Sequence, residues 1–227
     1  MSILINKNTS VLISGITGKE GTFHTERMIE YGTKVVAGVT PGKGGIIHCG
    51  VSVYNSVSDA TKNHKIDACG VFVPDAAAMN AVSETIQSGI KLIIIITEGI
   101  SPHTTMRFIS IAKKNGVTVL GPNTPGVVTP GESSIGVFAT DYLKKGRTGV
   151  ISRSGTLTVE ICYYLQKEGF GQSTVVGIGG DPVVGTTFKD IYKMFENDPA
   201  TDSVVIVGEV GGTLEEELAE YVQTSGK

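Results

Sequence analysis

The sequence has no tryptophan, only three cysteines and no apolar stretch approaching the about 20 residues a bilayer crossing requires. The run Leu92 to Ile96 is apolar but far too short to span. Met1 to Ser14 holds a brief apolar stretch without a cleavage pattern, so no signal peptide is expected. Charge is scarce as well: 18% of residues are charged and the formal net charge is -3. That mild acidity gives no reason to expect nucleic acid or an anionic membrane as partner. Cys49, Cys69 and Cys162 are an odd, scattered set with no metal-ligand spacing, which points away from a disulfide framework and toward a reducing compartment. A cytoplasmic chain fits these absences, as does a processed chain of the mitochondrial matrix or another organelle.

Glycine, by contrast, is abundant, with 30 among 227 residues. Many glycines in an α/β pattern imply tight turns where backbone approaches a ligand. Short β-branched runs at Val11–Ser14, Lys34–Val39, Ala68–Val73, Lys91–Ile96 and Val117–Leu120 alternate with helical patterns at Thr22–Tyr31, Ser56–Asn63, Ala76–Ser88 and Thr104–Asn115. Strands apolar on both faces and separated by helices predict a covered parallel sheet, a Rossmann-like domain over residues 1–121. Residues 122–147 break the alternation with Pro122, Pro125 and Pro130 among glycines, and read as a linker with short extended pieces. Alternation then resumes over 148–227. Strands are expected at Thr148–Ser152, Ser173–Gly177 and Ser203–Val207, and helices at Thr156–Lys167, Thr186–Asn197 and Leu214–Gln223. Three parallel strands with a last helix lacking a following strand make a partial, flavodoxin-like domain. Either a partner completes its sheet or the chain is a fragment.

The loop Gly15-Ile16-Thr17-Gly18-Lys19-Glu20-Gly21 follows a strand and opens a helix, the setting in which glycines let backbone N–H groups and the helix dipole hold a phosphate. Its G-x-x-G-x-x-G spacing differs from the dinucleotide fingerprint, and a purely structural βα turn gives the same pattern. The second strand ends without the carboxylate that a NAD ribose requires, and Lys43 on the loop Pro41–Gly45 follows instead. A cation there suits a phosphorylated ribose, the 3′-phosphate of coenzyme A or the 2′-phosphate of NADP, unless Lys43 is simply a solvated loop charge. Val73-Pro74-Asp75 and Ile96-Thr97-Glu98-Gly99 end two further strands at the carboxyl edge, where open α/β sheets place ligands. Thr97 and Glu98 bond adenine, ribose or a pantetheine amide on that reading; on the other they cap the next helix and supply its first-turn acid.

The segments Thr17–His24, Gly38–Gly45 and Ile96–Ile100 together resemble the α subunit of the succinate–CoA ligase family. So do Gly121-Pro122-Asn123, Pro125-Gly126, Ser152–Thr158, Gly177–Pro182 and Gly208–Gly212, in order from Met1 to Lys227. The resemblance implies an acid–thiol ligase: a histidine is phosphorylated, an acyl phosphate forms, and the thiol of coenzyme A displaces it. It assigns coenzyme A to Thr17, Gly18, Lys19, Glu20, Lys43, Val73, Ile96, Thr97 and Glu98. Ser154, Gly155 and Thr156 would hold succinate or phosphate at a helix N-terminus, and Glu209 would orient the phosphohistidine. A β subunit, in an αβ or α2β2 assembly, would bring ATP or GTP with Mg2+; no metal site is expected on this chain.

The physics of the positions agrees. Ser154-Gly155-Thr156 opens a helix after a strand and makes a second anion site. Glu209 follows an apolar strand and can accept a ring N–H from a histidine, leaving the other nitrogen to attack phosphorus. It also reads as a first-turn acid of the helix at Leu214. Arg153 is placed to assist at that anion site, or else reads as a surface ion pair. Two departures stand out. The family's phosphorylated histidine is expected beyond Lys227, and none of His24, His48, His64 and His103 lies in the matching motif; His24 is expected to pack or cap behind the first glycine loop. Val159 stands where the family places a tyrosine at the substrate site, and a valine cannot donate that hydrogen bond. Malate or another acid is therefore an alternative substrate. Thr124 stands where the family has cysteine. The competing functions are a non-catalytic coenzyme A-binding protein and an NAD(P)-dependent oxidoreductase, the latter supported by Lys43 alone.

Overall fold

The computed structural model describes residues 2–225. Strand β1 (Val11–Ser14) leads to helix α1 (Lys19–Glu30), then β2 (Val35–Val39), β3 (Ile47–His48) and β4 (Val51–Tyr54). Helix α2 (Val57–Asn63), β5 (Ala68–Val71), α3 (Asp75–Gln87), β6 (Leu92–Ile95), α4 (Pro102–Lys114) and β7 (Thr118–Leu120) complete a seven-stranded sheet of order β3-β4-β2-β1-β5-β6-β7. Only β3 runs antiparallel to its neighbour. The two-residue β3 and the four-residue β4 are additions that the sequence pattern did not predict.

The apolar runs work as two-faced strands. Leu12, Cys69, Ile93 and Ile95 join one core cluster, packed with Val82, Ile86 and Phe108 of α3 and α4. Ile13, Ala68, Leu92 and Ile94 point to the opposite face. Burying both faces removes every β-branched side chain of β6 from water, each contributing about 1.5–3 kcal/mol.

The second sheet differs from the expected three parallel strands. Its order is β12-β10-β11-β8-β9, from β8 (Gly126–Thr129), β9 (Ser133–Gly136), β10 (Lys145–Ser152), β11 (Gln172–Gly177) and β12 (Ser203–Val207). The core β10-β11-β12 is parallel. The extended pieces of residues 122–147 form a buried antiparallel hairpin, β8–β9, whose first strand pairs with β11. Pro130 and Gly131 sit at its turn, which satisfies the backbone groups that a linker would have left to water.

Helix α5 (Gly155–Lys167) covers one face of this sheet, and α6 (Phe188–Glu196) with α7 (Leu214–Ser225) the other. The last helix, expected to lack a strand beside it, packs on α6 instead: Leu218 is buried and Tyr221 Oη donates to Glu196 Oε2 at 2.7 Å. Phe188, Ile191 and Phe195 of α6 share one continuous core with Ile13 and Ile94 of the first sheet, so the two sheets are layers around common apolar material. Polar stitches reinforce it. Thr33 Oγ1 donates to Ser134 O at 2.8 Å, and Thr129 Oγ1 to Ile5 O at 2.7 Å. Among the described residues, no helix is long and apolar enough to cross a membrane.

Candidate active site

The glycine loop has two separable jobs. Gly15 has φ 83°, and a Cβ there would lie 2.6 Å from Phe72 O; a Cβ on Gly21 would overlap the Gly15 carbonyl. These two glycines let the loop fold upon itself and against β5. Gly18 is the N-cap of the 12-residue α1 and offers no side-chain oxygen to the first N–H groups. Those donors stay available to an anion, and the helix dipole favours one. Gly18, Lys19 and Glu20 line a cavity of about 860 Å³.

The same cavity brings together most of the residues singled out in sequence. Val73, Ile96, Thr97 and Glu98 line it from the first sheet, and Ser154, Gly155 and Glu209 from the second. It therefore lies where the carboxyl ends of both sheets meet. Thr97 and Glu98 do not cap α4: Ser101 is the N-cap, accepting from Thr104 N–H at 3.2 Å. Thr97 Oγ1 donates to Val73 O at 2.7 Å, so its hydroxyl ties two cavity loops together. Glu209 is likewise outside the first turn of α7, which Glu215, Glu216 and Glu217 occupy.

Four expected residues stand apart from the lining. Thr17 turns to Thr40, donating Oγ1 to Oγ1 at 3.1 Å. Lys43 is exposed on a loop shaped by Asn55, whose Oδ1 accepts the N–H of Gly42 and of Gly44 at 2.9 Å each. Thr156 is exposed and Val159 half-buried on α5.

Ser154 is the N-cap of α5, accepting from Leu157 N–H at 3.3 Å. Of the two readings of Arg153 before it, the surface ion pair does not hold. Arg153 is 9% exposed, lines the cavity, and donates Nη1 to Gly211 O at 3.0 Å and Nη2 to Gly180 O at 3.4 Å. Its Nε is sealed from solvent and has no hydrogen-bond partner, an arrangement costing about 1–3 kcal/mol where a donor stays unpaired. Asn123, with φ 55°, donates Nδ2 to Asp181 Oδ1 at 2.9 Å. Thr124 is buried; its hydroxyl donates to Gly177 O at 2.6 Å and accepts from Gly126 N–H at 3.0 Å. In sequence Asn123 appears only as part of a motif, and Arg153 is weighed as a helper at the anion site against a surface ion pair; the structure gives both a place in the lining.

His24 stands behind the glycine loop, edge-on to Phe23 at 5.0 Å and stacked on Phe72 at 5.9 Å. Burial pushes its pKa below the ordinary histidine range, against the pull of Glu20, whose Oε2 lies 3.5 Å from Nε2. It packs, as its position implied. No histidine is among the cavity-lining residues described, and no group of three or more His, Cys, Asp or Glu able to hold a metal occurs among the described residues.

A family model described as a CoA binding domain matches residues 6–99, and one described as CoA-ligase matches residues 151–227. The succinate–CoA ligase [ADP-forming] subunit alpha of Methanothermobacter thermautotrophicus is 50% identical over 99% of this chain and 76% of its own length. The chain belongs to the succinate–CoA ligase α-subunit family. The α subunit of Aquifex aeolicus, also ADP-forming, is 49% identical over 98% of this chain and 74% of its own. Among solved structures, ATP citrate lyase from Methanothrix soehngenii, in complex with citrate and coenzyme A, superposes with a TM-score of 0.89 at 22% identity, over 98% of this chain and 39% of that one. At that identity the likeness shows the fold, and it extends over both sheets of this family member.

Proposed function

We propose that the cleft between the two sheets binds coenzyme A, and that the chain works as the α subunit of an acid–CoA ligase with succinate as the acid. The observation that carries this reading is the convergence, on one cavity of about 860 Å³, of the α1 N-terminus, the α5 N-terminus and Glu209. Two helix starts border one space, and the dipole of each favours an anion there, which suits two anionic groups at once. The volume lies within the range of small-molecule sites.

Coenzyme A, when bound, supplies the thiol that accepts the acyl group. On this proposal Gly18, Lys19 and Glu20 at the start of α1 hold its phosphates, with Thr17 shaping the loop. Val73, Ile96, Thr97 and Glu98 line its path between the sheets. Lys43, exposed on its loop, pairs with the 3′-phosphate. Ser154, Gly155 and Thr156 bind a phosphoryl group or carboxylate at the start of α5. Glu209 accepts an imidazole N–H and fixes which ring nitrogen carries the lone pair. The described cavity residues thus contribute binding, an anion cradle and an orienting carboxylate.

The remaining readings follow the family. A β subunit is the proposed partner, in an αβ or α2β2 assembly, carrying ATP or GTP with Mg2+. Residues 1–121 form the coenzyme A-binding unit, and 148–227 together with the hairpin β8–β9 of the 122–147 stretch form the ligase unit. The bacterial and archaeal relatives and the three unpaired cysteines support a cytoplasmic place of work. Val159 leaves room for a second acid such as malate. Calorimetric titration of the chain with coenzyme A, NADP and NAD tests the core of the proposal. Binding of coenzyme A alone is expected; preference for NADP would overturn it. Reconstitution with the β subunit and a panel of succinate and malate then decides the acid.

A further inference from the structure

Three loops at the carboxyl edge of the second sheet meet at one side chain. Arg153 N–H donates to Val207 O at 3.1 Å, and its guanidinium reaches Gly180 O after β11 and Gly211 O after β12. Glu209 belongs to the last of these loops. Its own N–H is taken from the other side by Glu215 Oε1 at 3.0 Å, and a Cβ on Gly208 would lie 2.8 Å from that same oxygen. The loop has little packing of its own, since Val210 is fully exposed. What fixes it is a pair of polar anchors two residues apart, a guanidinium on Gly211 O and a carboxylate on Glu209 N–H.

We propose that Arg153 is a positioning residue that sets the place of Glu209 in the cavity through the Gly211 carbonyl, with Glu215 as its counterpart on the Glu209 N–H. The role of Glu209 itself rests on the ligase reading above; the anchoring does not. A lysine at 153 keeps the charge but cannot divide two donors of one rigid fork between two carbonyls. A glutamine at 215 keeps an acceptor oxygen, and an alanine removes it.

Amide hydrogen exchange on the whole chain compares wild type with Arg153→Lys, Glu215→Gln and Glu215→Ala. Arg153→Lys and Glu215→Ala are expected to speed exchange over residues 208–212 about tenfold, with β10 and β12 unchanged and Glu215→Gln near wild type. Exchange over 208–212 that stays at the wild-type rate in Arg153→Lys overturns the proposal. A rise spread over the entire second sheet also overturns it, because Arg153 would then support the fold rather than the loop. In the complex with the β subunit, Arg153→Lys is expected to lower kcat about tenfold and leave KM for coenzyme A unchanged; an unchanged kcat sinks the positioning role. Should wild type fail to bind coenzyme A, the ligase reading falls, while the exchange pattern still decides whether Arg153 holds the loop.

Discussion

The two sheets reach similar burial by different routes. In the first, each of β1, β5 and β6 is parallel to its neighbours and followed by a helix, so local alternation of strand and helix nearly dictates the order. In the second, β8 and β9 come as a hairpin with no helix between them, and β8 pairs antiparallel with β11, from Val128↔Val175 to Val127↔Val176. The first sheet is thus a product of repeated local rules. The second depends on backbones that cross closely. Gly126 and Gly136 have φ 110° and 135°, and a Cβ on Gly126 would overlap the Ile135 carbonyl.

The largest expected effect breaks that crossing. Gly126→Ala should destabilise the protein by roughly 3 kcal/mol or more in denaturant unfolding, combining strain at positive φ with a backbone overlap. Gly89→Ala in the first unit is the matched control. It has φ 84° but nothing within 4 Å of a new Cβ. Strain alone should cost it about 1 kcal/mol. Equal losses would show that close approach does not distinguish the second sheet.

The next prediction separates the first sheet's side from the second's. Lys43→Ala should weaken coenzyme A about tenfold, the worth of about 1.4 kcal/mol, and leave dephospho-coenzyme A unaffected in calorimetry. Equal weakening of both ligands would remove Lys43 from the 3′-phosphate. On the second-sheet side, Ser154→Ala removes the α5 N-cap and should lower stability by about 1 kcal/mol, measured by thermal or urea unfolding. Coenzyme A affinity should hold in that variant if the α1 loop carries the binding.

The smallest effect tests a likeness between the regions. Burial pushes the Cys69 thiol in the first sheet and the Cys162 thiol of α5 up to about 12, while Cys49 is half-buried and raised less far. Iodoacetamide at pH 8, followed by peptide mass mapping, should modify Cys49 and spare the other two in the folded protein. Rapid labelling of Cys162 would show that the second sheet opens far more readily than the first.

How much of this was legible in sequence divides along the same line. The strands of the first sheet are short β-branched runs between helices of 3.6 period, and β1 falls on the expected Val11–Ser14 without adjustment. The glycine loop and Ser154 announced themselves because both open helices after strands. The hairpin β8–β9 was seen only as extended pieces, since Pro125 and Gly126 locally read as linker punctuation; their pairing with a strand more than forty residues later is not a local property. Strand β4, no shorter than β1, was hidden by its polar Ser52 and by the glycines before it. Arg153 looked like a surface charge because its acceptors, Gly180 O and Gly211 O, come from loops far along the chain.

The sequence alone therefore determined the parallel α/β order, the two helix starts able to hold anions and, through its ordered motifs, the family. These are set by neighbours in the chain, by side-chain periodicity and by glycines at turns. Only the tertiary structure decided that both helix starts open on one cavity and that the proline-rich stretch completes the second sheet. It also decided that the loop Glu209–Gly211 is bonded to Arg153 through Gly211 O and to Glu215 through the Glu209 N–H. Each of those facts rests on contacts between residues distant in sequence, where the geometry of packed sheets, and no local preference, chooses the partner.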